Sequence, residues 1–191
     1  MPSSANRTRL TAGTSIADSS QAYSASVGGA TARGIFGDLG VGRVTYDGIS
    51  GATNYGYAVA GGRVSPAAWR AQLCPVASVS HGVGPKDFSG IGTDVSITGA
   101  SAGLAAGYPL RLSSSVAMVP NGTVTAQYAQ TKVAFDGTSQ TSSGSSGLAD
   151  VGLALVWRDR VSIQPAVQLP FAADDDARTF SITASVALFR R

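Results

Sequence analysis

The sequence predicts an all-β, antiparallel fold, and three observations carry that prediction. Apolar and polar side chains alternate with a period of two along most of the chain, Gly, Pro, Asn and Ser punctuate it at hairpin spacing, and the polar faces carry almost no charge. The alternation is clearest at Val161-Ser162-Ile163-Gln164-Pro165-Ala166-Val167-Gln168-Leu169, an extended strand with two unlike faces. Charged residues are 13% of the 191 residues, against roughly 25% in a typical soluble domain. Glu is absent and lysine occurs only at Lys86 and Lys132, so the usual means of wetting a soluble sheet is missing.

Taken in order, Met1 to Ser19 is rich in Ser, Thr, Ala and Arg and reads as a flexible N-terminal segment, residues 1–19, ahead of a single domain over residues 20–191. It lacks the apolar stretch of a secretory signal, so a mature or truncated form is assumed. Tyr23 to Val27 alternates weakly, and the Gly-rich run from Gly34 to Asp47 has Leu39, Val41, Val44 and Tyr46 as its apolar points. Tyr55, Tyr57 and Val59 mark the next strand, and a turn at residues 64–68 leads to Trp69, Ala71, Leu73, Pro75, Ala77 and Val79. The apolar phase shifts between Val95/Ile97 and Ala102/Leu104, which predicts a bulge between Gly99 and Gly103. The longest alternating run extends from Leu110 to Tyr128, with Arg111, Ser113 and Ser115 on its polar side and a bulge or bend at Pro120-Asn121-Gly122. Residues 136–147 are almost wholly Gly, Ser and Thr and read as a mobile loop. Val151 to Trp157, a tight turn at 158–160, the 161–169 strand, an acidic tip and Phe180 to Leu188 complete the chain. Degenerate hairpins with Pro75, Pro120 and Pro165 inside a strand suggest internal repetition, each proline marking a bulge.

Alternation by itself leaves the apolar face free to meet a protein core or lipid. Three features favour lipid. The polar faces are Ser, Thr, Gly, Ala and Gln, small enough to fill a narrow barrel. Trp69, Tyr108 and Trp157 fall at short-turn ends while Tyr46, Tyr55, Phe88, Tyr128, Phe135, Phe171 and Phe180 fall toward long-loop ends, as two interfacial girdles would. Most charges lie in turns, and Asp94, Arg111 and Asp150 are placed to pair inside a lumen. Short connections near 64–68, 108–110 and 158–160 alternate with longer ones at 82–90, 136–147 and 172–178, the layout of a transmembrane barrel.

On this pattern the chain, from roughly Ser20 to Phe189, resembles the small bacterial outer-membrane β-barrel proteins. The resemblance implies an antiparallel up-and-down transmembrane β-barrel in the bacterial outer membrane. Counting back from the C-terminus gives eight strands beginning near Gly34, or ten if the Tyr23 segment is half of a further pair. Eight strands would leave a lumen filled by side chains. Proteins of this kind usually end on an aromatic residue, whereas here Phe189 is followed by Arg190 and Arg191.

The expected function is structural, anchoring or loop-mediated binding without catalysis, with the lipid bilayer as partner and a ligand or protein reached through loops 82–90, 136–147 and 172–178. A soluble β-sandwich serving as an adhesin, capsid or surface module, a lipocalin-like apolar-ligand binder, and a barrel-embedded lipid enzyme are the alternatives. His81, the only histidine, has Asp87 and Asp94 nearby and offers a base that could activate a serine, but no serine sits in a nucleophile motif. Cys74 reads as a small lumen filler, and a single cysteine forms no intrachain disulfide. Asp174-Asp175-Asp176 has oxygen ligands for a divalent cation but reads first as a solvated turn. Gly37, Gly40 and Gly42 lack the GK[ST] and following helix of a phosphate loop, and suit backbone curvature or close approach instead. No cofactor or metal site is expected. The net charge of +3 forms no basic stripe, which argues against nucleic acid.

Overall fold

The computed structural model describes residues 7–66, 68–84, 87–88, 91–171 and 178–190. Ten long strands form an up-and-down meander: β1 (Arg7–Ala17), β2 (Ser20–Ala30), β3 (Ile35–Tyr46), β4 (Ala52–Gly62), β5 (Gln72–Val83), β7 (Ile91–Gly107), β9 (Val116–Phe135), β10 (Thr138–Trp157), β11 (Val161–Phe171) and β12 (Thr179–Arg190). Two-residue strands β6 (Asp87–Phe88) and β8 (Leu110–Arg111) flank them. Every pairing is antiparallel, and β1 against β12 together with β7 against β9 closes the sheet into a ten-stranded barrel. Closure leaves no sheet edge within the barrel wall, as a hydrocarbon environment demands.

The strand count settles on ten because Arg7–Ala17, expected to be a flexible segment, is a barrel strand paired on both sides. Its only large apolar points are Leu10 and Ile16, both exposed on the outer face, so its alternation is faint in the sequence. The sandwich reading falls with closure. The lipocalin reading falls because the apolar faces point outward.

Val161, Ile163, Val167 and Leu169 all lie on the outside, Ile163 with 51% of its surface exposed. Leu10, Val27, Leu39, Val41, Val79, Leu104, Val124, Val151, Leu155, Ile182 and Val186 continue this belt around the barrel. Seven of the ten strands are 11 or 12 residues long, about what a tilted strand needs to cross a bilayer. Trp69, Tyr108 and Trp157 are exposed around one rim, and Tyr23, Tyr128, Phe171 and Phe180 toward the other. The first, terminal rim carries both chain ends and the connections at 31–34, 63–71, 108–115 and 158–160. The second, distal rim carries those at 18–19, 47–51 and 136–137, together with the ends of β5, β7, β11 and β12 at Val83, Ile91, Phe171 and Thr179.

Several local expectations are corrected. No register shift occurs at residues 99–103 or at any of the three prolines. The apparent phase change in β7 arises because Val95 and Ile97 face inward while the backbone runs on regularly. Pro75, Pro120 and Pro165 pair with the outward-facing Leu104, Leu153 and Ile182, so each removes one amide donor without displacing a strand. The one shift in register falls between Thr8 and Arg9, opposite β12. The run from Leu110 is not continuous either. Ser113 Oγ accepts from the amides of Ser115 and Val116 and turns the chain back, so that Leu110 pairs with Met118. Residues 138–147 are strand, reached through a two-residue Asp136-Gly137 turn with φ of 44° and 74°. That Asp-Gly pair is the hairpin signal that low complexity obscured.

Candidate functional site

The lumen has two unlike walls. On β3 and β4 the inward residues are aromatic and glycine in register: Phe36 opposite Gly61, Tyr57 opposite Gly40, and Tyr55 opposite Gly42. A Cβ at any of these glycines would collide with the facing ring, so each ring occupies the space left over the bare backbone of its partner. The Tyr55 and Tyr57 ring centroids are 6.0 Å apart, within the range of favourable aromatic pairing. This reverses the expected placement of Tyr46 and Tyr55 in a lipid-facing girdle. Tyr46 pairs with inward-facing Ser20, and β4 turns its Asn54, Gly56, Ala58 and Ala60 face outward. The reason is steric: glycines 40, 42 and 61 provide space for rings inside.

The opposite wall is polar. Asn121, Thr123, Thr125 and Gln127 of β9, Asp150 of β10, and Gln164 and Gln168 of β11 face inward. Gln164 Nε2 donates to Asn121 Oδ1 at 3.0 Å across Gly152, whose Cβ would lie 3.2 Å from that oxygen. Ser78 and Ser101 share a hydrogen bond of 2.7 Å, and Thr11 and Ser185 one of 2.9 Å. Towards the terminal rim, Cys74, Ala105, Val119, Ala154 and Ala166 form a dry inward patch, with Cys74 buried among them.

The lumen's ion pair went unforeseen. Arg9 of β1 reaches across β2 to Asp38 of β3, with Nη2 donating to Oδ2 at 2.6 Å and Nε to Oδ1 at 3.2 Å. Arg9, Gly28 and Asp38 lie in one cross-strand row, and a Cβ at Gly28 would strike the Asp38 carboxylate. A two-pronged guanidinium–carboxylate contact of this kind fixes orientation as well as charge. Asp94, Arg111 and Asp150 do not pair inside the lumen as expected. Asp94 is exposed on β7, Arg111 is exposed at the terminal rim, and Asp150 faces the lumen without a side-chain partner among the described residues.

His81 points outward from β5, and its Nδ1 lies 2.9 Å from Thr98 Oγ1. That hydroxyl, rather than Asp94, orients the ring, and the Asp87 side chain lies outside the described residues. Residues 172–177, which hold Asp174-Asp175-Asp176, also lie outside the described residues. Among those described, no group of three His, Cys, Asp or Glu side chains is placed to hold a metal.

At the distal rim β7, β9 and β10 continue as a three-stranded sheet. β9 and β10 are each 20 residues long, paired from Val116 with Trp157 to Phe135 with Thr138, while β7 follows β9 as far as Thr93. Residues 138–145 are exposed throughout and carry Thr, Ser, Gln and Gly. With a bilayer using 9–11 residues per strand, the hairpin extends well beyond it, roughly 25 Å of additional strand.

A closed antiparallel barrel, apolar outside and polar within, with rings at both rims, is a transmembrane β-barrel of the bacterial outer-membrane kind. One solved structure bears out the fold, and two others align over nearly their whole length. The translocator domain of autotransporter NalP from Neisseria meningitidis superposes with a TM-score of 0.60 at 12% identity, covering 95% of this chain and 87% of that one. Ail, the attachment invasion locus protein of Yersinia pestis, aligns over 97% of this chain and 100% of its own at 13% identity and a TM-score of 0.48. Neisserial surface protein A aligns over 98% and 99% at 14% identity and 0.46. No protein-family model and no curated protein sequence matches the chain. The exposed apolar belt is the surface that a bilayer surrounds in a barrel of this kind.

Proposed function

We propose that the barrel is an anchor whose working part is the sheet formed by β7, β9 and β10 beyond the distal rim, which binds an extracellular ligand or protein. The termini and the 31–34 and 158–160 turns then face the periplasm and the hairpin faces outward. The observation that carries this reading is the length of β9 and β10, 20 residues each. The bilayer accounts for about half of that, and the remainder is a polar, exposed surface held in shape by three paired strands. The reading contains no catalytic step, in keeping with a His81 that faces outward and bonds Thr98.

The test removes residues 131–134 and 139–142. This shortens both arms by equal, even numbers, so the turn and the alternation of faces are retained. Cells displaying each form are measured for attachment to immobilised matrix proteins and glycans. The shortened barrel is expected to keep its heat-modifiable gel migration and lose at least about tenfold in attachment. Equal attachment by the two forms, or none by the full chain, overturns the reading.

A further inference from the structure

The inversion of β4 has an effect on the outer face. Because its rings turn inward, β4 presents only Asn54, Gly56, Ala58 and Ala60 to lipid. On one side stands the ridge Leu39, Val41 and Arg43 of β3, and on the other the ridge Val79, His81 and Val83 of β5. Across the distal parts of these strands and of β2 lies an open groove of about 680 Å³ whose lining includes Tyr23, Val41, Arg43, Asn54, Gly56 and His81.

The upper end of this groove is unlike the rest of the belt. Tyr23, Arg43 and Asn54 occupy one cross-strand row, and His81 is one step away, opposite Gly56. Arg43 is exposed on the lipid-facing side and has neither a carboxylate nor a hydrogen-bond partner among the described residues. His81 uses Nδ1 toward Thr98, which leaves Nε2 available. A guanidinium on the outer face is costly at the bilayer midplane and tolerated near its surface. Arg43 lies three residues from the distal end of β3, at the height of that surface. Its planar fork matches phosphate oxygens in two-point contact. Asn54, Tyr23 and His81 add hydrogen-bonding groups around it, while Val41 and Val83 give the groove its apolar lining and Leu39 and Val79 carry the exposed apolar belt on towards the membrane centre.

We infer that this groove holds one lipid of the leaflet facing the distal rim, its head-group phosphate on Arg43, Asn54 and His81 and an acyl chain along Val41 and Gly56. The charge complementarity singles out a phosphate, and the apolar lining beside Arg43, continuous with the exposed belt, singles out a lipid over a free anion. This goes beyond the anchoring role and is independent of what the hairpin binds.

The test is native mass spectrometry of the full chain released from detergent, titrated with dioleoyl phosphatidic acid or with dioleoyl phosphatidylcholine. One phosphatidic acid adduct is expected to form about tenfold more readily than its phosphatidylcholine counterpart. Arg43→Gln should bring the ratio to near one, while Arg70→Gln, at an exposed residue of the terminal rim, should leave it unchanged. Gly56→Leu should lose the adduct with Arg43 still present. A Cβ at residue 56 meets only the Gly40 carbonyl at 3.8 Å, so this variant tests the groove without disturbing the lumen. Equal binding of the two lipids by the unaltered chain, a ratio unaffected by Arg43→Gln, or displacement of phosphatidic acid by millimolar inorganic phosphate overturns the inference.

Discussion

The wall made by β3 and β4 and the wall made by β9 and β10 bound the same lumen with the same two-residue alternation, yet they sort their side chains in opposite ways. On β9 and β10 the large apolar residues Val124, Tyr128, Val151, Leu155 and Trp157 face lipid, and Thr123, Thr125, Gln127 and Asp150 face inward. On β4 the rings of Tyr55 and Tyr57 face inward and glycine and alanine face lipid. The difference teaches that an outer face needs only to suit lipid, with charge kept near the rim as at Arg43, whereas an inner face must fit. Gly56 and Ala58 are acceptable to lipid, and Tyr55 and Tyr57 are acceptable inside only because Gly42 and Gly40 lie across from them.

The largest effect should come from the row that joins the aromatic wall to β1. In Gly28→Val the new side chain displaces the Asp38 carboxylate and leaves Arg9 unpaired in the lumen. A loss of about 3–4 kcal/mol is expected, combining overpacking against Asp38 and the Gly37 carbonyl with the loss of a charge-assisted contact whose guanidinium is only part-buried. Urea unfolding in detergent micelles, followed by the fluorescence of Trp69 and Trp157, measures it.

Next comes charge on the two faces of the polar wall. Val151→Arg places a guanidinium in the apolar belt and should cost about 2–4 kcal/mol in the same assay performed in lipid bilayers. Thr123→Lys, on the inner face directly opposite the unpaired Asp150, should change stability by less than about 1 kcal/mol in either direction. If both variants cost the same, the assignment of faces on this wall is wrong.

A smaller effect separates fit from filling. Gly42→Val should cost about 2 kcal/mol by forcing the Tyr55 ring aside. The same change in a Tyr55→Ala background should cost at least about 1 kcal/mol less, since neighbours in contact are not additive. On the polar wall, Gln127→Ala should stay within about 0.5 kcal/mol. Strict additivity at the Gly42–Tyr55 pair would remove the distinction between the walls.

How much of this was legible varies with the strand. Val161 to Leu169 shows its two faces in the sequence because the outward positions are Val, Ile and Leu and the inward ones Ser and Gln. β1 was illegible because its inward positions include Arg9, a residue that looks like a loop charge until Asp38, 29 positions away, is brought alongside it. The projecting hairpin was hidden by a Ser, Thr and Gly composition that suits a loop and an exposed strand equally. The Asp136-Gly137 turn was the available signal. The ring placement on β4 had a signal too, in the Gly40 and Gly42 spacing of β3, but pairing those glycines with Tyr57 and Tyr55 requires the register.

Local sequence dictated that this chain forms antiparallel strands with two unlike, sparsely charged faces, because side-chain alternation and the scarcity of Lys and Glu act within a few residues of each position. It also dictated that the strands must close, since polar backbone at an open edge has no partner in hydrocarbon. The number ten, the inward turn of Tyr55 and Tyr57, the Arg9–Asp38 bridge over Gly28 and the outer groove beside Arg43 were decided by the tertiary structure. Each depends on which residues from different strands come level with one another, and the cross-strand register alone sets that.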